Sequence, residues 1–136
     1  RGETDESLRL YQQVVAADPK NQEARLAIGD LMLEKGDFRG AEAQYRAVLK
    51  ENERAHAAWN NLGIALMRTN RVQEAIQALE RAVALNPTSA VYLNNLGAAY
   101  ERAGQIAKAR TRYEEALKLD PKLEDARKNL ERLTKR

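Results

Sequence analysis

Four residues, Asn-Asn-Leu-Gly, stand at 60–63 and again at 94–97, 34 residues apart. A fixed period of this length means a stack of supersecondary units, each burying its apolar face only against its neighbours. With the glycine set at slot 8, the units are 22–55, 56–89 and 90–123. Slot 8 holds Gly29, Gly63 and Gly97, and slot 20 holds Ala41, Ala75 and Ala109. Slot 24 holds Tyr45, Leu79 and Tyr113, and slot 15 holds Gly36, Asn70 and Gly104. Slot 32 holds Glu53, Pro87 and Pro121, with Pro19 one period upstream.

Each unit reads as two antiparallel helices. Ala58, Leu62, Ala65 and Leu66 follow helical spacing in the first; Ile106, Ala109, Tyr113, Ala116 and Leu117 follow it in the second. Slot 15 ends the first helix, because Gly and Asn tolerate the left-handed backbone of a C-cap. Proline after Leu-Asn or Leu-Asp stops the second. A glycine inside a helix costs about 1 kcal/mol against alanine. Three in register predict a close backbone approach, expected against the slot-20 alanines.

The pattern W-x-x-L-G-x-x-Y, then A-x-x-x-F/Y-x-x-A, then P resembles the tetratricopeptide repeat. It is strong in units two and three, and weaker in unit one, where Arg25 stands for the slot-4 tryptophan and Glu53 for the proline. The resemblance implies an all-α fold: a right-handed α-solenoid of antiparallel helix pairs. Residues 1–21 align with the second helix of a truncated repeat, which predicts poor cover for Leu8, Tyr11 and Val15 and a longer parent chain. Residues 124–136 align with a first helix whose Arg127, Glu131 and Thr134 replace the apolar or small residues of internal units, so a solvating cap is expected there. Trp59 at slot 4 is expected in the core.

The resemblance also implies a function: a non-catalytic protein–protein interaction module that holds an extended peptide or partner segment along its concave face. Carried over position by position, unit two supplies Asn60, Asn61, Ile64, Met67 and Arg68. Unit three supplies Val91, Asn94, Asn95, Ala98 and Arg102, and the cap supplies Lys128, Asn129 and Arg132. An amide offers donor and acceptor together, so a row of Asn61, Asn95 and Asn129 could hold both backbone groups of a peptide. The same amides could equally bond within the array. Glu23, Asp30 and Glu34 make the unit-one end acidic, and Lys128 and Arg132 make the cap end basic. A partner of opposite polarity is expected.

Other chemistries have little support in the residues. The chain has no cysteine and one histidine, His56, expected to be solvated; it has no glycine-rich phosphate loop and no metal-ligand spacing, so no catalytic residue, metal or cofactor is expected. The net charge of +3 is too small to argue for nucleic acid, and the mid-groove residues are apolar. Helical RNA-binding repeats of similar length lack the W…LG…Y signature. The family's clamp for acidic chaperone tails is matched only by asparagine. No apolar run reaches the roughly 18–20 residues that cross a bilayer, and compartment is not legible. Two alternatives stay open: an architectural module that self-associates through its truncated N-terminal edge, and a substrate-docking arm of a larger protein, enzymes included.

Overall fold

In each unit a glycine in the first helix lies directly under a side chain of the second. A computed structural model describes residues 2–135. Arg1 and Arg136, which bound the expected ranges 1–21 and 124–136, lie outside the described residues. Among the described residues eight helices follow one another: α1 (Gly2–Ala17), α2 (Gln22–Lys35), α3 (Phe38–Glu51), α4 (His56–Arg68), α5 (Val72–Leu85), α6 (Ala90–Arg102), α7 (Ile106–Leu119) and α8 (Glu124–Thr134). The first helices are α2, α4 and α6, with α8 in the same role after them. The second helices are α3, α5 and α7, with α1 in the same role before them. The expected all-α solenoid is what forms.

The turn inside each unit repeats bond for bond. Gly36, Asn70 and Gly104 adopt φ of 88°, 64° and 81°. The following N–H reaches back five residues each time: Asp37 to Met32 O, Arg71 to Leu66 O, and Gln105 to Tyr100 O, at 2.8–2.9 Å. This is the bonding of a left-handed helix stop. Side chains cap three helix starts: Asn21 accepts from Ala24 N–H, Asp37 from Gly40 N–H and Ser89 from Tyr92 N–H. The turn between units does not depend on proline. α3, α5 and α7 all stop at slot 30, as Glu51, Leu85 and Leu119, although Glu53 stands where Pro87 and Pro121 follow the other two.

The slot-8 glycines make room for slot 24, not for the slot-20 alanines. A Cβ built on Gly29 would sit 2.6 Å from Tyr45 Cε1, on Gly63 2.5 Å from Leu79 Cγ, and on Gly97 2.6 Å from Tyr113 Cε1. Ala41, Ala75 and Ala109 are fully buried elsewhere in the same core. The core runs along the stack as successive clusters, with Tyr45, Leu62 and Leu66 in one and Leu79, Leu96, Tyr113 and Leu133 in the next, and half-buried Met67 packs against both.

Successive first helices touch, α2 with α4, α4 with α6 and α6 with α8, whereas α3 and α5 make no such approach. The stack therefore closes on the side of the first helices and opens on the side of the second. An ion network bridges the open side between α3 and α5. Arg71 Nη1 lies 2.7 Å from Glu42 and Arg71 Nη2 3.0 Å from Glu74; Arg46 Nε lies 2.9 Å from Glu42. Burial works against the Glu42 carboxylate, but hydrogen bonds from Arg71 and Arg46 hold it below the usual carboxylate range.

α1 has no buried residue. Leu8 and Val15, expected bare, are half-buried; Leu10, Tyr11 and Val14 are the exposed ones. Trp59 is half-buried rather than central, because it fills the open side between α3 and α5 instead of the closed one.

Alanine is the better helix former, so propensity alone says Gly97→Ala should stabilise by about 1 kcal/mol. The added methyl must displace the fully buried Tyr113 ring, and overpacking of this kind costs about 1–3 kcal/mol. Urea denaturation is expected to show a net loss of about 1 kcal/mol; a gain would contradict the close approach.

Candidate functional site

The paired asparagines join one unit to the next. Asn60 and Asn94 at slot 5 are buried, with 5% and 8% of their surface exposed. Asn95 Nδ2 donates to Asn60 Oδ1 at 3.0 Å, and Asn129 Nδ2 donates to Asn94 Oδ1 at 3.0 Å. Each bond spans 35 residues, one period plus one, so in these two cases slot 6 of a unit reaches slot 5 of the unit before. Unit one has Leu26-Ala27 in place of the pair, and there Asn61 Nδ2 donates to Asp30 Oδ1 at 2.9 Å. Asn60 Nδ2 also donates to Asn61 Oδ1 at 3.0 Å, which makes Asp30, Asn61, Asn60 and Asn95 one connected row.

Two tyrosines tie this row to the core. Tyr45 Oη donates to Asp30 Oδ1 at 2.5 Å, and Tyr113 Oη donates to Glu101 Oε1 at 2.7 Å. Arg132 completes the cap end, donating to Glu101 Oε1 at 2.5 Å and to Asn129 Oδ1 at 2.9 Å. Burial, then the neighbouring carboxylate, pushes both phenols up, so each stays protonated and donates. Tyr100 donates to Glu80 at 2.5 Å, and burial and that bond push its phenol up to about 12.

The thirteen expected groove residues separate into groups. Asn60 and Asn94 leave the set, because they are buried between units with their amides engaged. Asn61, Asn95 and Asn129 are half-buried and already bonded inside the array. Each amide has two N–H groups and an oxygen with two lone pairs, so bonding capacity remains after one contact. Ile64, Met67 and Ala98 are half-buried, and Val91 and Lys128 are exposed. The expected arginines are engaged with the fold. Arg68 lies 4.5 Å over the Phe38 ring, and Arg102 donates to Met67 O at 3.0 Å and to Asn70 Oδ1 at 2.8 Å. Ala98, Glu101, Arg102, Tyr113, Asn129 and Arg132 come together around a hollow of about 310 Å³ between units three and cap. His56 is half-buried rather than solvated, with Nδ1 2.8 Å from Tyr92 Oη.

Models of the tetratricopeptide repeat match residues 1–37, 26–90 and 90–123. The chain belongs to the tetratricopeptide repeat family. Within it, the chain is 35% identical over 85 residues to a peroxisomal targeting signal receptor of Saccharomyces cerevisiae, a match covering 62% of this chain and 13% of that protein. It is 31% identical over 86 residues to the BBSome complex member bbs-4 of Caenorhabditis elegans, covering 63% of this chain and 19% of that one. The chain thus spans a small part of the curated relatives it matches. Among solved structures, MamA superposes with a TM-score of 0.90 at 29% identity, covering 98% of this chain and 78% of that one. Among the described residues no helix of this repeat array is long and apolar enough to cross a membrane.

The inter-unit amide bonds are expected to be measurable as coupling. Asn60→Ala and Asn95→Ala should each cost about 1–2 kcal/mol, and a double-mutant cycle should return about 0.5–1.5 kcal/mol. Additive losses would mean the two amides do not interact in solution. Alkaline pH gives a second check. A phenol that binds its proton more tightly when folded favours the fold below its unfolded value, near 10. That contribution is lost as pH rises through the folded value, about 12 for Tyr100. The urea midpoint should therefore fall between those limits, and Tyr100→Phe should flatten the fall.

Proposed function

We propose that this array is a binding module for a protein partner, and that the partner's extended segment lies along the face of the first helices. The observation that carries the reading is the row of half-buried amides at Asn61, Asn95 and Asn129, held in register one per unit. Their engagement with the array fixes each side chain in one orientation, which lowers the entropy lost when a peptide amide adds to the remaining valence. Ile64, Met67 and Ala98 give apolar cover between the amides. Asp30 and Glu34 toward unit one, against Lys128 at the cap, favour a segment that is basic at one end and acidic at the other.

Magnitudes point to modest affinity. An amide contact adds about 1 kcal/mol net, and association costs at least about 4 kcal/mol. The apolar area at three half-buried side chains is small, so a dissociation constant of about micromolar or weaker is expected. The reading is of binding without catalysis, in line with the relatives named as a targeting-signal receptor and a complex member.

A second reading rests on α1, where Leu10 is 55% exposed and Tyr11 and Val14 lie beside it. This face would pair with a further helix, either from another part of a larger protein or from a second copy. Light scattering across a hundredfold concentration range separates the two cases from a monomer that binds only along the first helices.

To test the main reading, a photo-crosslinking amino acid is placed at Ala98 and, in parallel, at exposed Glu114. Partners should be captured at Ala98 and not at Glu114. Ile64→Asp should then weaken the captured partner by at least tenfold in calorimetry while the helical signal is unchanged. Equal capture at both positions, or full affinity in the variant, would refute it.

A further inference from the structure

Because α3 and α5 splay apart, the outer surface carries a wedge between them. The Arg71 network crosses part of it. The rest is a cleft of about 370 Å³ lined by Arg46, Leu49, Lys50, Glu53, Trp59 and Arg81. Its floor continues to Leu62, Leu66 and Ala78, all buried.

Trp59 is the single tryptophan of the chain. Its Nε1–H donates to Glu53 O at 2.8 Å, which fixes the ring, and the Arg81 guanidinium stands 5.3 Å from the ring centroid. Arg46 is divided between Glu42 at 2.9 Å and Glu74 at 3.5 Å. Lys50 and Arg81 have no carboxylate within ion-pair distance among the described residues. A preoriented indole, an apolar floor and two cations outside any ion pair therefore share one cleft with a single carboxylate, Glu53.

The repeat pattern accounts for a tryptophan at slot 4 but not for the cations gathered around it. One period on, Arg46 becomes Glu80, Lys50 becomes Ala84, Trp59 becomes Leu93 and Arg81 becomes Glu115. Leu93 is buried. One period back, the same places hold Gln12, Ala16, Arg25 and Ala47. A side chain set needed to hold units together would recur every 34 residues, as the glycines do. This set occurs in one wedge alone.

We propose that the α3–α5 wedge is a second docking site, for an acidic peptide segment of a partner protein in which Asp or Glu flanks an aromatic or large aliphatic side chain. The apolar side chain packs on Trp59 over Leu49 and Leu62, and the flanking carboxylates meet Lys50 and Arg81. Exposed ion pairs alone bind weakly, so the buried contact on the indole supplies most of the affinity and the cations select the sequence. The site is separate from the first-helix face. Trp59 and Asn61 are two residues apart on α4, about 200° around the helix.

The lone tryptophan makes the site readable by itself. Random 12-residue peptides displayed on phage are selected on the full chain, with counter-selection on the Lys50→Glu/Arg81→Glu variant. Both substitutions are at exposed positions, so the fold is retained. The enriched peptides should pair Asp or Glu with Phe, Trp or Leu, and Trp-free synthetic copies should shift Trp59 emission. Arg81→Glu should weaken them at least tenfold, 0.5 M salt should weaken them further, and Ala98→Lys on the first-helix face should change them less than twofold. The proposal is overturned if no peptide survives counter-selection, if survivors lack acidic residues, or if Ala98→Lys removes the binding.

Discussion

A side chain pressed against bare glycine backbone sets the geometry of every unit. At Gly29, Gly63 and Gly97 nothing larger than hydrogen fits under Tyr45, Leu79 and Tyr113. This contact fixes how closely the two helices of a unit approach, and in units one and three it also places a hydroxyl. Tyr45 meets Asp30 and Tyr113 meets Glu101, and those carboxylates hold Asn61 and Arg132. Packing within a unit and bonding between units are thus one connected system. Unit two, with Leu79 in the same seat, has no hydroxyl there and relies on its amides.

The fold was readable because its rules recur. Three slot-8 glycines and the Gly-Asn-Gly series at slot 15 each carry a backbone requirement that few residue types meet at so little cost, and three slot-20 alanines mark the buried face. The slot-8 partner was misread, since periodicity gives the face of a helix but not which of two neighbours lies on it. The asparagines were half legible. Slot-5 Asn occurs at 60 and 94, each followed one period later by slot-6 Asn at 95 and 129; unit one has Leu26 at slot 5, and Asn61 there takes Asp30 instead. Two of the three slot-6 asparagines thus follow a slot-5 asparagine, and that pairing is the sign in the sequence that the amides serve the stack. Trp59 at slot 4 does pack against the core, yet one side of its ring stays open because α3 and α5 do not meet, a spacing that the residues around slot 4 do not spell out.

Engaged amides change what the first-helix face can offer. A free asparagine adapts to a ligand but loses rotamer freedom when it binds; one already bonded to its neighbour has lost that freedom on folding. The array thus trades breadth of contact for order, presenting fewer valences in fixed directions. The proposed outer wedge differs, with an apolar floor and exposed cations at its rim. If both proposed surfaces bind, one short array would join two unlike segments from opposite sides of α4.

The amide row runs where successive first helices touch, and ion pairs cross the gap between α3 and α5. That gap is bridged in two layers: the Arg71–Glu42 pair is sheltered, and the Arg46–Glu74 pair lies outside it, open to water. Dissolved ions screen the open layer first and reach the sheltered one last.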